Sequence, residues 1–178
     1  MNYFKSSRLV LRAVEPEDLE LYYQIENDTE LWRNSVTTAP FSRYALRRFL
    51  EQASCDVYAD GRVPLVITLH DGTPIGLIDM YDYSVAHQRA EVGIVVRTPW
   101  QRQGYALEAL QLLSRYAACH LHLHQLYAIV AADNVPAARL FSKAGFRVSG
   151  RLADWLCRDV ADYVDASIFT LFLRQSFS

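Results

Sequence analysis

Gln101-Arg102-Gln103-Gly104-Tyr105-Ala106 lies between an apolar, strand-like run, Ala90 to Val96, and a long amphipathic stretch of helical period. That position suits an anion. A glycine at a strand-to-helix turn lets the backbone approach a ligand closely, and the first helical turn then presents unpaired N–H groups. With the positive end of the helix dipole they favour phosphate, although the same glycine also suits an ordinary turn. The loop lacks the Gly-Lys-Ser/Thr ending of a P-loop, so phosphate binding here does not imply ATP. His120, His122 and His124 would share a face if they lay on a strand, as metal ligands can. They follow the end of a helix, however, where histidine suits the dipole, and only Cys119 lies near enough in sequence to add a ligand. No metal is expected. Cys55, Cys119 and Cys157 are odd in number and lack paired spacing, so they read as ordinary thiols.

The elements that would hold the loop follow from apolar period. Arg8-Leu9-Val10-Leu11-Arg12 alternates as a half-buried strand. Glu15-Pro16-Glu17-Asp18 opens a helix whose apolar face is Leu19, Tyr22, Tyr23 and Ile25. Asn27 to Phe41 has no clean period and reads as a loop. Ser42 caps a second helix to about Gln52, and Arg43, Arg47 and Arg48 form its solvated face. Pro64–Leu69 and Ile75–Tyr81 flank Asp71-Gly72 as a hairpin, and Ala90–Val96 is the next strand. Ala106, Leu110, Leu113 and Ala117 mark a helix from Gly104 onward. Leu126–Val130 is a strand, Asp133-Asn134 caps a shorter helix that Gly145 ends, and strands begin at Phe146 and Tyr163. The order is strand, two helices, three strands, helix, strand, helix, two strands. This predicts an α/β (α+β) single domain over residues 1–178: a mixed, mostly antiparallel central sheet flanked by helices.

Composition narrows the function classes. The chain has 178 residues, 51% hydrophobic and 21% charged, with net charge −2. It can bury about two-thirds of its unfolded surface without a disulfide. A near-neutral charge argues against nucleic acid as a partner. No run approaches the ~20 apolar residues of a membrane span, and the start of the chain lacks signal-peptide character. A cytoplasmic protein with no membrane partner is expected.

Three ordered motifs resemble the GNAT superfamily of N-acetyltransferases, in the layout of its spermidine and ribosomal-protein branches. They are Ala90-Glu91-Val92-Gly93-Ile94, the Gln-x-x-Gly-x-Ala loop from Gln101 to Ala106, and Asn134 to Phe146. The resemblance runs from Arg8 to the final strand. It implies acetyl-CoA as cosubstrate, with no metal: Gln101, Arg102, Gln103, Gly104, Tyr105 and Ala106 on the pyrophosphate, and Ile94, Val95 and Val96 along the pantetheine arm. Asn134 and Phe141 join the cofactor set. A parallel pair that splays apart, Ala90–Val96 against Leu126–Val130, would leave backbone groups for an amide-rich arm to satisfy.

The implied reaction is direct attack of a primary amine on the thioester, which needs a proton acceptor. Glu91 matches a position where related enzymes often carry a glutamate base. It equally reads as a structural carboxylate paired with Arg89 or Arg12. Phe141 departs from the family pattern, because many relatives place a thiolate-protonating tyrosine there. Ser142 points about 100° away around the helix and replaces it poorly. An acyl-CoA-binding module is therefore the alternative to an enzyme. Asp79 falls, with Glu91, where polyamine acetyltransferases carry acceptor acids, and Trp32, Tyr81 and Tyr83 offer cation–π surface or core packing. The Ser35–Phe41 stretch holds no carboxylate, so a polyamine, a peptide N-terminus, an amino acid and an amine-bearing antibiotic all stay open. The C-terminal edge strand could pair with a second copy as a homodimer.

Overall fold

The computed structural model describes residues 2–34, 37, 39–54 and 56–173. Cys55 and, in the stretch Ser35–Phe41, residues Ser35, Val36 and Thr38 lie outside the described residues. Seven strands form one sheet in the order β1-β2-β3-β4-β5-β7-β6. They are β1 (Leu9–Ala13), β2 (Val63–Leu69), β3 (Pro74–Ser84), β4 (Arg89–Val96), β5 (Gln125–Ala131), β6 (Arg147–Asp159) and β7 (Asp162–Phe172). All neighbours are antiparallel except β4 and β5. The β2–β3 turn is closed by Gly72 at φ +89° and by the Thr73 N–H donating to Asp71 Oδ1 at 2.9 Å. An Asp-Gly pair supplies both devices.

Helices cover both faces. The long α5 (Tyr105–Cys119) and α6 (Val135–Lys143) pack Leu110, Leu113, Ala117 and Phe141 against Ile78, Met80, Ala90, Val92 and Leu126. On the other face α1 (Leu19–Glu26) and α3 (Arg43–Gln52) set Leu21, Tyr22, Ile25, Leu46 and Leu50 against Val66 and Leu77. Strand alternation makes the division: Leu77 and Val95 point to the α1/α3 side, Ile78 and Ile94 to the α5/α6 side.

Two single-turn helices escape the sequence reading. One is α2 (Thr29–Trp32), inside the stretch expected as loop, where Asp28 accepts the Glu30 N–H; the other is α4 (Val57–Asp60), capped by Asp56. Four residues are too few for a readable period, and only the caps signal them. Strand β6 is 13 residues long and mostly exposed, with three register shifts against β7. Being an edge strand wet on both faces, it shows no apolar alternation. The histidine run is not a strand. His120 caps α5 and stacks on Tyr116 with centroids 5.3 Å apart, His122 sits at φ +53°, and His124 meets the edge of Phe172 at 5.5 Å. Among the described residues no cluster of three or more His, Cys, Asp or Glu side chains could hold a metal ion, and no helix is long and apolar enough to cross a membrane.

Candidate active site

The parallel pair is a fork. β4 and β5 are in register only at Arg89↔Gln125, Ala90↔Leu126 and Glu91↔Tyr127. Beyond Glu91 they part, while β4 stays paired to β3 as far as Val96 and β5 to β7 as far as Ala131. Each inner edge from Val92 to Val96 and from Ala128 to Ala131 therefore lacks its strand partner. Such edges need a substitute for the lost ladder.

At the far end of β4 the loop is held open as a backbone cradle. Gln101 Nε2 donates to Val96 O at 2.8 Å and Gln103 Nε2 to Pro99 O at 2.9 Å, so both amides brace the turn. Arg102 at φ +61° and Gly104 at φ +86° turn the chain into α5. The first helical bond is Glu108 N–H to Gly104 O, so the N–H groups of Tyr105, Ala106 and Leu107 have no intrahelical acceptor. Arg8 flanks them. It donates to Gln103 O at 3.0 Å, lies 4.8 Å from the Tyr105 ring centroid, and is ion-paired with Glu108. Burial opposes ionisation of Glu108, but hydrogen bonds from Ser6 and Arg8 outweigh it and hold its carboxyl below the ordinary value. A cradle of exposed N–H groups and a fork of unpaired amides together fit a long ligand with a phosphate end and an amide-rich arm.

Glu91 stands where the fork opens. Tyr81 OH donates to Glu91 Oε1 at 3.1 Å, and the Tyr127 hydroxyl and the Ile129 N–H, next to it across the β4–β5 pair, favour its ionised form. Burial is the main influence on this carboxyl and raises its pKa above the ordinary value against those neighbours. Neither arginine expected from sequence is among these partners. Arg12 instead makes a bidentate pair with Asp18, both bonds 2.7 Å.

On the same face as Glu91 lie Asp79 and Tyr81, opposite Gly93 and Glu91 in the β3–β4 register. Asp79 is ion-paired with Arg62, whose guanidinium is 5.0 Å from the Phe49 ring centroid. Glu26, at the end of α1, is raised in pKa by burial against the pull of Arg62. Trp32 Nε1 donates to Glu26 O at 2.7 Å, which sets the indole beside this corner. This corner of the face thus sets Asp79 and Glu26 around the Arg62 guanidinium, with Glu91 on the same face.

Residues 8–147 match the acetyltransferase (GNAT) domain family. The chain belongs to the GNAT acetyltransferase family. The spermidine N(1)-acetyltransferase of Escherichia coli K12 is 29% identical over 142 residues, covering 80% of this chain and 74% of that protein. The L-amino acid N-acetyltransferase AaaT of the same organism is 24% identical over 163 residues, covering 90% and 95%. Among solved structures, the spermidine N-acetyltransferase of Vibrio cholerae in complex with CoA and spermine shares the fold at a TM-score of 0.85. It is 23% identical, with 94% of this chain and 97% of that one covered. Membership carries the general chemistry of the family, acetyl-CoA-dependent transfer to an amine.

In this GNAT chain the side chain of Asn134 caps α6, its Oδ1 accepting the Ala137 N–H at 3.1 Å. Phe141 is buried, edge-on to Phe146 at 5.1 Å and tilted against Phe169 at 6.2 Å, while Ser142 one step on is exposed. Sequence reasoning missed Tyr127, Asp82, Glu26 and Arg62. It also missed Arg158 of β6, 8% exposed, which donates to Asp133 Oδ1 at 2.7 Å and so ties β6 to the turn before α6. Alternation along Leu126-Tyr127-Ala128 shows that Tyr127 faces away from the α5 core. Only the register places it beside Glu91.

Proposed function

We propose that this chain transfers the acetyl group of acetyl-CoA to a primary amine, with Glu91 as the base that takes a proton from the acceptor ammonium so that the neutral amine attacks the thioester. The cradle from Gln101 to Ala106 would hold the pyrophosphate and the β4 edge, Ile94, Val95 and Val96, the pantetheine arm. Acetyl-CoA supplies the activated thioester. A carboxyl raised by burial, at the last paired step before the fork opens, carries the reading: burial makes it a stronger base than an ordinary surface glutamate. Trp32, Tyr81 and Asp79 would line the acceptor side. Asp79 shares its charge with Arg62, so this face is less acidic than its count of carboxylates suggests. That suits a small amine with one or two cationic groups, and extends to an amino acid whose carboxylate could meet Arg62.

Phe141 favours a second reading, binding of an acyl-CoA with slow turnover, because its ring offers no proton to a leaving thiolate. The thiol pKa of about 8.5 lets the sulfur leave without that help.

The test is thiol release from acetyl-CoA with polyamines, amino acids, N-terminal peptides and aminoglycosides, in the native protein and in Glu91→Gln. Release confined to one amine class is expected. The variant should lose on the order of a hundredfold in kcat at unchanged acetyl-CoA affinity. In the native protein kcat/KM should fall as pH drops through the raised Glu91 value, because the protonated carboxyl cannot act as base, and this limb should vanish in the variant. Full activity of Glu91→Gln would remove the base; acetyl-CoA binding without release for any amine would establish the binding module.

A further inference from the structure

Tyr81, Glu91 and Tyr127 occupy one row across β3, β4 and β5. Tyr81 is the register partner of Glu91 on one side and Tyr127 on the other. The Tyr127 hydroxyl in turn donates to a carboxylate oxygen of Asp82, which is exposed. Asp82 reaches it from a bulge, where the β3–β4 register shifts between Tyr81 and Ser84 and Asp82 adopts φ +48°. The left-handed conformation costs most side chains about 1–2 kcal/mol, less for Asp and Asn. The result is a row of polar groups in which the Tyr127 hydroxyl, bonded to Asp82, stands beside Glu91 in the register, between a half-buried carboxyl at the fork and a carboxylate in water.

We propose that Tyr127 and Asp82 carry the proton of the acceptor amine from Glu91 to solvent, an inference that rests on Glu91 being the base. The ammonium N–H bond breaks as the proton joins a Glu91 oxygen. That proton then moves to the Tyr127 oxygen while the phenolic proton of Tyr127 moves to Asp82. Asp82 releases it to water, and the Tyr127 hydroxyl turns back to its starting direction. Atoms and charge balance at each step, and no phenolate forms. Burial first, then the hydrogen bond to Asp82 and the charge of Glu91, push the Tyr127 hydroxyl above its ordinary pKa and disfavour a free phenolate as the carrier. The charged and titratable groups around the row are Tyr81 and Asp82 from β3, Tyr127 from β5, Arg89 of β4 beside Tyr127, and Arg62 ahead of β2 beside Tyr81. Tyr81 is a hydrogen-bond donor to Glu91 but leads to no second carboxylate among its described contacts, so it positions the base.

A polar staple at the fork would use the same bonds, and proton rescue separates the two roles. Tyr127→Phe and Asp82→Asn are compared with the native protein in thiol release at saturating acetyl-CoA and amine, with imidazole varied at constant ionic strength. Imidazole is not a primary amine and can take a proton directly from Glu91. Each variant is expected to lose on the order of tenfold in kcat at unchanged acetyl-CoA affinity. Imidazole should restore most of that loss and leave the native rate alone. A native-like kcat in either variant overturns the relay, as does a loss that imidazole leaves untouched. Asn tolerates φ +48° and Asp82 is exposed, so Asp82→Asn keeps the test decisive if Tyr127→Phe fails to fold. Glu91→Gln run alongside separates the failures: a native-like rate there removes the base itself, whereas an inactive Glu91→Gln beside a native-like Tyr127→Phe removes only the relay.

Discussion

The cradle at the start of α5 and the face beneath α1 and α3 are built from different materials. The cradle is backbone. Its N–H groups are freed by the geometry of one turn, and its side chains, Gln101, Gln103 and Arg8, brace the turn from outside. The face proposed for the acceptor is side chain. Glu91, Tyr81, Tyr127, Asp79 and Arg62 come from three strands and a loop, and each is bonded to or set beside a partner distant in sequence. A backbone site depends on a few consecutive residues and tolerates change in most side chains. A side-chain site depends on register and tolerates little. Substitutions in the two regions should therefore separate cleanly, with cradle variants moving acetyl-CoA affinity and face variants moving turnover or acceptor KM.

Gly104→Val should break the cradle most. Gly104 has φ +86°, and a Cβ there would meet Arg8 Nη2 at 3.3 Å. An L-residue in that conformation costs about 1–2 kcal/mol, and a β-branched one more, so acetyl-CoA affinity should fall about tenfold or more while acceptor KM holds. Titration of CoA by calorimetry reads the first and steady-state kinetics the second. Equal loss in both would mean that the turn supports the whole domain and that the two regions are one.

The same contrast explains what the sequence makes legible. The loop from Gln101 to Ala106 announces itself because a glycine at a strand–helix junction is a local signal, and α5 and the hairpin at Asp71-Gly72 follow from local period and turn chemistry, whereas the splayed pair is legible only through the family resemblance. Glu91 stands out only through its motif. Its partners are invisible in one dimension: Tyr127 lies 36 positions away, and Asp82 reaches it through a bulge that no periodicity encodes. The arginine pair offered as the alternative for Glu91 fails for a local reason. Arg12 lies nearer in sequence to Asp18, six residues on, and is taken by it. Strand β6 and the helices α2 and α4 were poorly legible because an exposed edge and a single turn carry no apolar period.

Asp79→Asn sharpens the comparison from the other side. The pair with Arg62 is partly exposed, 41% for the arginine side chain and 20% for the aspartate, so solvent screening keeps its worth to about 0–1 kcal/mol. The substitution leaves Arg62 as an uncompensated cation on the face. Up to about a fivefold rise in KM is expected for a diamine or polyamine and no rise for an amino acid, with acetyl-CoA KM unchanged. A change in acetyl-CoA KM of the same size would show that Asp79 acts through the fork rather than on the acceptor.

The smallest effect separates the two braces of the cradle. Gln101 Nε2 meets Val96 O in a part-buried bond that joins the turn to the end of β4, whereas Gln103 Nε2 meets Pro99 O in water. Removing the first amide leaves a part-buried carbonyl without its donor, a cost of about 1 kcal/mol, part of which is felt as a looser cradle. Removing the second lets water take its place. Gln101→Ala should weaken CoA binding about threefold and Gln103→Ala by less than about twofold, both read by calorimetry against the native protein. If Gln103→Ala is the worse of the two, its side chain does more than brace the turn and itself contacts the bound anion. The cradle would then owe part of its affinity to side chains, and its contrast with the face around Glu91 would be one of degree.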